Sequence, residues 1–441
     1  MHFRFESKTS NEWYYSDLKL ESEKYIDNGD LIFAWSASFG PFIWDGGRVI
    51  YHYHIWKLEF YDPESLYMKY VYNYLLSVTK RIKASGSGIA MIHMTKERME
   101  KLVMQVPPVS EQYRIVAKVD ELMALCDQLE AEQSNSADAH ETLVSIILDA
   151  LTQGDNFAES WVRLQEHFDV LFTTPASIDK LKQTLLQLAV MGKLVPQDPN
   201  DEPASELLKK IRIEKDRLIA EGKIKGGKPL PPIADEEKPF DLPSGWEWVK
   251  LNQLLRKIGA GSTPLGGKQV YISQGVPFLR SQNVWDEGLR LDDVAHISSE
   301  THQKMSGTHV FSGDLLFNIT GASIGRCAIV PADFVTGNVS QHVTIVRSVS
   351  KHILSFLHKV MISRHVQQTV MDVQVGVSRE GLSIGKLGQF IIPIPPLAEQ
   401  CRIVAKVDEL MALCEQLKLQ LVEAGEKQRM LADVMVERAV A

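Results

Sequence analysis

Four groupings of side chains in this 441-residue sequence could do chemistry, and each has a plainer reading. His52 and His54, in Tyr-His-Tyr-His-Ile-Trp, have strand spacing and share a face, which is half of a metal site. No third ligand accompanies them, so they read as ordinary histidines. Asp62 and Glu64 (YDPES) resemble a nuclease acid pair, but no lysine completes a Glu-x-Lys pattern, and a solvated loop fits better. Gly-Asp precedes an apolar run twice, as Gly29-Asp30-Leu31-Ile32-Phe33 and Gly313-Asp314-Leu315-Leu316-Phe317. A repeated Gly-Asp before a strand is turn chemistry rather than a pair of catalytic acids. Cys126, Cys327, Cys401 and Cys414 form no Cys-x-x-Cys pair and read as reduced thiols packed as small hydrophobes.

Three enzyme motifs are missing from the sequence. It has no GxxxxGK[ST] phosphate loop, no HExxH and no Asn/Asp-Pro-Pro-aromatic of the kind that positions an amine for methyl transfer. Pro107-Pro108 and Pro395-Pro396 follow Val106 and Ile394 instead. The chain reads as non-catalytic by itself, with no metal.

The elements that would position a binding surface come from a duplication. Residues 107–130 (PPVSEQYRIVAKVDELMALCDQLE) and 395–418 (PPLAEQCRIVAKVDELMALCEQLK) are identical at 19 of 24 positions. Each Pro-Pro favours extended backbone just before a helix. Ile115, Val119, Leu122, Cys126 and Leu129, and then Ile403, Val407, Leu410, Cys414 and Leu417, alternate at spacings of four and three. That is heptad spacing, the mark of a helix with a partner on one seam. Two such helices of some 40 residues, about 60 Å each, are most simply paired with each other.

Upstream of each helix lies a mixed α/β segment. Strand-like runs at Val276–Leu279, Asp314–Ile319, Cys327–Val330, Val339–Val346 and Gln389–Pro393 are separated by Gly, Asn, Ser and Pro, with a helical patch at Ile353–Val370. The first segment parallels only the later part, with a helical stretch near Ser65–Ile82. It reads as shortened at its N-terminal side. Whether residues 1–104 close a core alone is open. The expected class is α+β: two mixed α/β domains separated by two long antiparallel, coiled-coil-like helices. The expected boundaries are 1–106, a helix over 107–153, a helical segment and linker over 154–238, a second domain over 239–394, and a helix over 395–441. Ser177–Val190 and Glu206–Ala220 read as helices inside the connecting segment.

Hydrophobic content of 44% and charged content of 24% describe a soluble globular protein. No apolar run spans a bilayer and no secretory leader is evident, so a cytoplasmic place without membrane contact is expected. The net charge of −8 is unevenly spread. Residues 105–243 hold 15 Lys and Arg against 25 Asp and Glu, whereas residues 244–394 hold 14 against 10. A mildly basic second domain is compatible with holding phosphates.

The order of motifs resembles that of type I restriction-modification specificity subunits. The matching stretches are PPVSEQYRIVAKVDEL (107–122), QLAVMGKLVPQDPNDEPASELL (187–208), PFDLPSGWEWVKL (239–251) and PPLAEQCRIVAKVDEL (395–410), with GDLLF and GASIGR (321–326) as landmarks. The short first domain departs from the pattern. The resemblance implies two target-recognition domains held apart by the helices, each reading half of a bipartite, asymmetric site in double-stranded DNA. It implies two methyltransferase and two restriction subunits as partners. S-adenosylmethionine, ATP and magnesium belong to those partners, which methylate adenine and cleave DNA, and this chain binds no cofactor. A truncated, partly or wholly inactive subunit, or a coiled-coil adaptor without DNA readout, stays open as an alternative.

Base readout favours Arg, Asn, Gln and Ser, and phosphate contact favours Lys, Arg and backbone amides. In the second domain the candidates are Ser262, Thr263, Arg280, Gln282, Asn283, Asn318, Thr320, Ser323, Arg326 and Gln341. In the first they are Trp35, Ser36 and Ser38, which follow the shared Gly-Asp-Leu.

Overall fold

A computed structural model describes residues 19–35, 38–85, 95–153, 156–226, 230–375 and 381–440. They fall into two compact units, residues 1–137 and 138–441.

In the first unit Leu31–Ala34 (β1) runs between Gly40–Ile43 (β2) and Ile55–Lys57 (β3), antiparallel to both. All four β1 residues are buried, as a central strand covered on both faces requires. Strand alternation sends Leu31 and Phe33 to one face, where Phe39 and Val71 and Leu75 of the helix Met68–Ser85 (α1) pack with them. Ile32 points the other way, to Ile26, Trp44, Val49 and Ile55. This unit therefore closes a core on each face of its small sheet. Gly29 takes φ +92 at the turn into β1, where Asp30 accepts from the Asp27 amide at 2.7 Å.

Next comes Val109–Gln153 (α2), a single 45-residue helix. Gln112 near its start is fully buried. Its Nε2 donates to the Ser65 and Pro107 carbonyls, and its Oε1 accepts from the Tyr67 amide. Lys69 of α1 pairs with Asp120 at 2.6 Å. The expected apolar seam is not buried in this part of α2. Ile115, Leu122, Cys126 and Leu129 are exposed and Val119 is half-buried.

In the second unit the last turns of α2 bury Val144, Leu148 and Leu151 against Ile178, Leu181, Leu185 and Leu188 of Pro175–Val190 (α3). Thr174 caps α3, with Pro175 at its first position. Gly192, at φ +71, ends it, and the Lys193 amide reaches the Leu188 carbonyl at 2.9 Å. Ala204–Ala220 (α4) follows.

The sheet module of this unit begins with Glu247–Lys250 (β4) and Leu255–Ala260 (β5). It continues with Tyr271–Ile272 (β6), Val276–Leu279 (β7), Ala295–Ile297 (β8), His309–Val310 (β9), Leu315–Asn318 (β10), Cys327–Ile329 (β11), Gly337–Val339 (β12) and Val343–Ser348 (β13). Among the described residues one sheet has the order β11-β10-β13-β5 and another β9-β12-β7-β8-β6, with β12 and β7 parallel. Leu316, Ala328, Val343 and Ile345 face Leu279, Val310 and Val339 in a core between these sheets. Leu315, Phe317 and Val346 turn the other way, onto Leu354–Met361 (α5) and Arg364–Val375 (α6). Ile391–Ile394 (β14) pairs antiparallel with β4, so the module's first and last strands close on each other.

Leu397–Val440 (α7) is the second long helix, and it lies along α3. Ile403 and Val407 are fully buried in a core that includes Leu186, Ala189 and Val190, with Leu410 and Leu417 half-buried around Cys414. The seam of α7 is real, but α3 covers it. The heptad pattern shows that a helix has a mate without saying which one.

Candidate nucleic-acid interface

Five strand ends meet at one end of the second unit's sheets. The Gly261 amide donates to the Val343 carbonyl at 2.9 Å, and Ser262 to Val339 at 3.1 Å. The Ser340 amide donates to Leu279 at 2.9 Å, Ile319 to His342 at 3.0 Å, and Leu382 to Ile319 at 2.8 Å. A Cβ at position 261 would sit 2.0 Å from the Val339 oxygen, so only glycine lets these backbones come so close. The loops after β5, β7, β10 and β12 are thereby bound into one surface.

Most of the polar residues singled out in the sequence lie on these loops. Ser262, Thr263, Gln282 and Gln341 are exposed there. The Thr320 hydroxyl lies 2.6 Å from Nδ1 of His342, which is exposed as well. Arg280 is half-buried. Its Nη2 donates to the Asp293 carbonyl at 3.4 Å, while its buried Nε has no partner. Gln282 donates to the Asp293 carboxylate at 3.1 Å.

Two candidates are buried, and a third bonds to one of them. Asn318 is fully buried, and its Nδ2 donates to the Ser281 carbonyl and the Ser323 hydroxyl. Asn283 is 2% exposed; it accepts from the Arg280 amide and donates to the Arg290 carbonyl. Ser323 serves as the acceptor for Asn318. The amide nitrogens of Asn318 and Asn283 hold the loops together, while the buried Oδ1 of Asn318 has no hydrogen-bond partner among the described residues.

Sequence reading named Arg326 but missed Arg290 and Trp285 beside it. Trp285 sits in a short hairpin, with its Nε1 donating to the Gln282 carbonyl at 2.8 Å. The guanidinium of Arg290 lies 3.5 Å from its ring centroid, and that of Arg326 lies 3.7 Å away. Stacking on an indole aligns a guanidinium and leaves its N–H edge for an anion. Arg290 and Arg326 stand 36 residues apart in the sequence, and nothing there pairs them. Beside them burial pushes the Asp286 carboxyl up, and it accepts from the Cys327 amide at 2.9 Å. Glu287, Asp292 and Asp293 are exposed nearby in the chain, so the cations are a local feature rather than a basic face.

In the first unit, the half-buried Trp35 donates to the Tyr53 carbonyl at 3.0 Å and stacks on Trp56 at 6.1 Å. Its indole N–H is thus engaged within the fold. Ser38 is half-buried, and Ser36 lies outside the described residues. His54 packs edge-on to Trp35, and its amide donates to Nδ1 of His52. Asp62 accepts from the Glu64 amide and the Ser65 hydroxyl, which is loop geometry; these bonds lower its carboxyl below the usual range.

The family model of the type I restriction modification DNA specificity domain matches residues 3–138 and 243–424. The chain belongs to this family. The second matched stretch of the specificity domain holds all the convergent loops just described. Among curated relatives, the type I restriction enzyme EcoAI specificity subunit of Escherichia coli is 39% identical over 340 residues, 76% of this chain and 57% of the relative. The EcoEI specificity subunit of Escherichia coli is 36% identical over 360 residues, 77% of this chain and 59% of the relative. The alignment thus spans less than two thirds of either relative's length. Among solved structures, the HsdS subunit from Thermoanaerobacter tengcongensis is 18% identical, with 95% of this chain and 83% of that chain covered and a TM-score of 0.39.

Proposed function

We propose that the chain is the DNA sequence-specificity subunit of a type I restriction-modification complex. It binds a bipartite, asymmetric site in double-stranded DNA and directs adenine methylation and ATP-dependent restriction by partner subunits. It catalyses neither step. Two methyltransferase and two restriction subunits supply S-adenosylmethionine, ATP and magnesium chemistry, and the complex works in the cytoplasm.

The observation that carries this reading is the convergence of exposed Ser262, Thr263, Gln282 and Gln341 with the Arg290–Trp285–Arg326 stack at one end of the sheets. Hydroxyl and amide groups suit base edges, and stacked guanidinium groups suit phosphates. The test is methylation of plasmid DNA by the chain mixed with cognate methyltransferase subunits, and by each alone. Methylation of a defined sequence only in the mixture supports the reading. Activity of the chain alone, or methylation by the mixture without sequence preference, contradicts it.

A further inference from the structure

The duplicated sequence offers an internal control. On α2 and α7 the two copies hold their own sheet modules in the same way. Nε2 of Gln112 donates to the Pro107 carbonyl at 2.9 Å, and Nε2 of Gln400 to the Pro395 carbonyl at 2.9 Å. Asp120 pairs with Lys69 at 2.6 Å, and Asp408 with Lys359 at 2.7 Å.

Another face of the copies differs. In the second copy Glu399 is 1% exposed and accepts from Trp246 Nε1 at 2.9 Å and from Gln197 Nε2 at 2.7 Å. Arg402 pairs with Asp201 at 2.6 Å, and Glu415 pairs with Lys182 of α3. Ile403 is fully buried and Cys414 is 6% exposed. Those partners come from α3, the turn after it, and Trp246. The first copy carries the same chemistry as Glu111, Arg114, Ile115, Cys126 and Asp127. Glu111, Arg114 and Asp127 are exposed, with no ion pair or side-chain hydrogen bond among the described residues. Ile115 is 37% exposed, Leu122 49% and Met123 54%. A contiguous apolar stripe in water, flanked by charges of known complement, is a binding surface.

We infer that this face of α2 receives a second segment built like residues 175–201: an amphipathic helix, a glycine turn, then an amide and a carboxylate. The carboxylate meets Arg114, the amide meets Glu111, and a lysine at the place of Lys182 meets Asp127. One position sets this occupant apart from α3 itself. Lys418 pairs with Asp179 at 2.6 Å, but the first copy has Glu130 there. An acid at the place of Asp179 is repelled, so the occupant carries a base or a neutral residue.

The probe is a fluorescent peptide of residues 173–203, stapled on its solvent face and shown to be helical by circular dichroism. It is titrated into the full chain and followed by anisotropy. Saturable binding is expected, tighter for the Asp179→Lys peptide than for the native one. Arg114→Glu in the chain weakens it about fivefold or more. Peptide binding slows alkylation of Cys126, read by mass spectrometry, and leaves the exposed Cys401 unchanged. Failure of the helical peptide to bind overturns the inference. So does binding indifferent to Arg114, or binding that uncovers Cys414 by displacing α3.

Discussion

Arg347 donates through Nε and Nη2 to the two carboxylate oxygens of Asp314, at 2.5 and 2.7 Å. Asp314 also accepts from the Phe311 amide at 2.8 Å, three residues back. In the first unit Asp30 repeats the motif on the Asp27 amide, with Lys57 at 3.0 Å in place of the arginine. The duplicated Gly-Asp is therefore a turn lock between a strand and a cation on its neighbour. Asp314→Ala leaves a nearly buried guanidinium unpaired and is expected to cost about 3–5 kcal/mol. Asp30→Ala disturbs a pair about a quarter exposed and is expected to cost about 1 kcal/mol. Urea denaturation of both variants checks the order, and equal losses would argue against it.

The Arg290–Trp285–Arg326 stack is expected to touch phosphate. Arg290→Ala should weaken DNA binding evenly across sequences and lower the slope of log affinity on log salt by about one. Trp285→Ala should reduce that slope by more, because both guanidinium groups lose their platform. Filter binding across a salt series reads both, and a change confined to one base position would assign Arg290 to base readout instead.

Burial lowers His358 to about 4, with its Nε2 2.9 Å from the Cys327 carbonyl. The unfolded ring titrates near 6.5, so between the two values the unfolded chain holds the extra proton. Stability is therefore full above about pH 6.5 and falls by about 3 kcal/mol as pH drops to about 4. Burial lowers His365 as well, adding loss of the same sign. Because carboxylates also titrate in this range, the comparison is with His358→Gln, whose urea midpoint should fall less from pH 7 to pH 4.5. Parallel profiles would remove His358 from the account.

Local rules carried far in this chain. The strand-like run Asp314–Ile319 is a strand over Leu315–Asn318, and its alternation buries Leu315 and Phe317 in one core and Leu316 in another. Gly192 ends α3 where a glycine after an amphipathic run should. Partner choice was not legible, because heptad spacing is the same whatever helix lies alongside: α3 covers Ile403, while Ile115 stays exposed. Nor was the division of labour among polar residues. Asn318 and Gln341 look alike in sequence, yet one is sealed between two loops and the other faces solvent, and only long-range pairing decides which.

We propose that the loops joined at Gly261, Ile319 and Ser340 read the bases of one half of a two-part site. Single-molecule methylation sequencing of a host carrying the partner subunits with either the native chain or Gln341→Ala tests it most directly. The account predicts relaxed base preference in one half of the methylated motif, with the other half and the spacer unchanged. An identical motif from both chains, or loss of preference in both halves together, would contradict it.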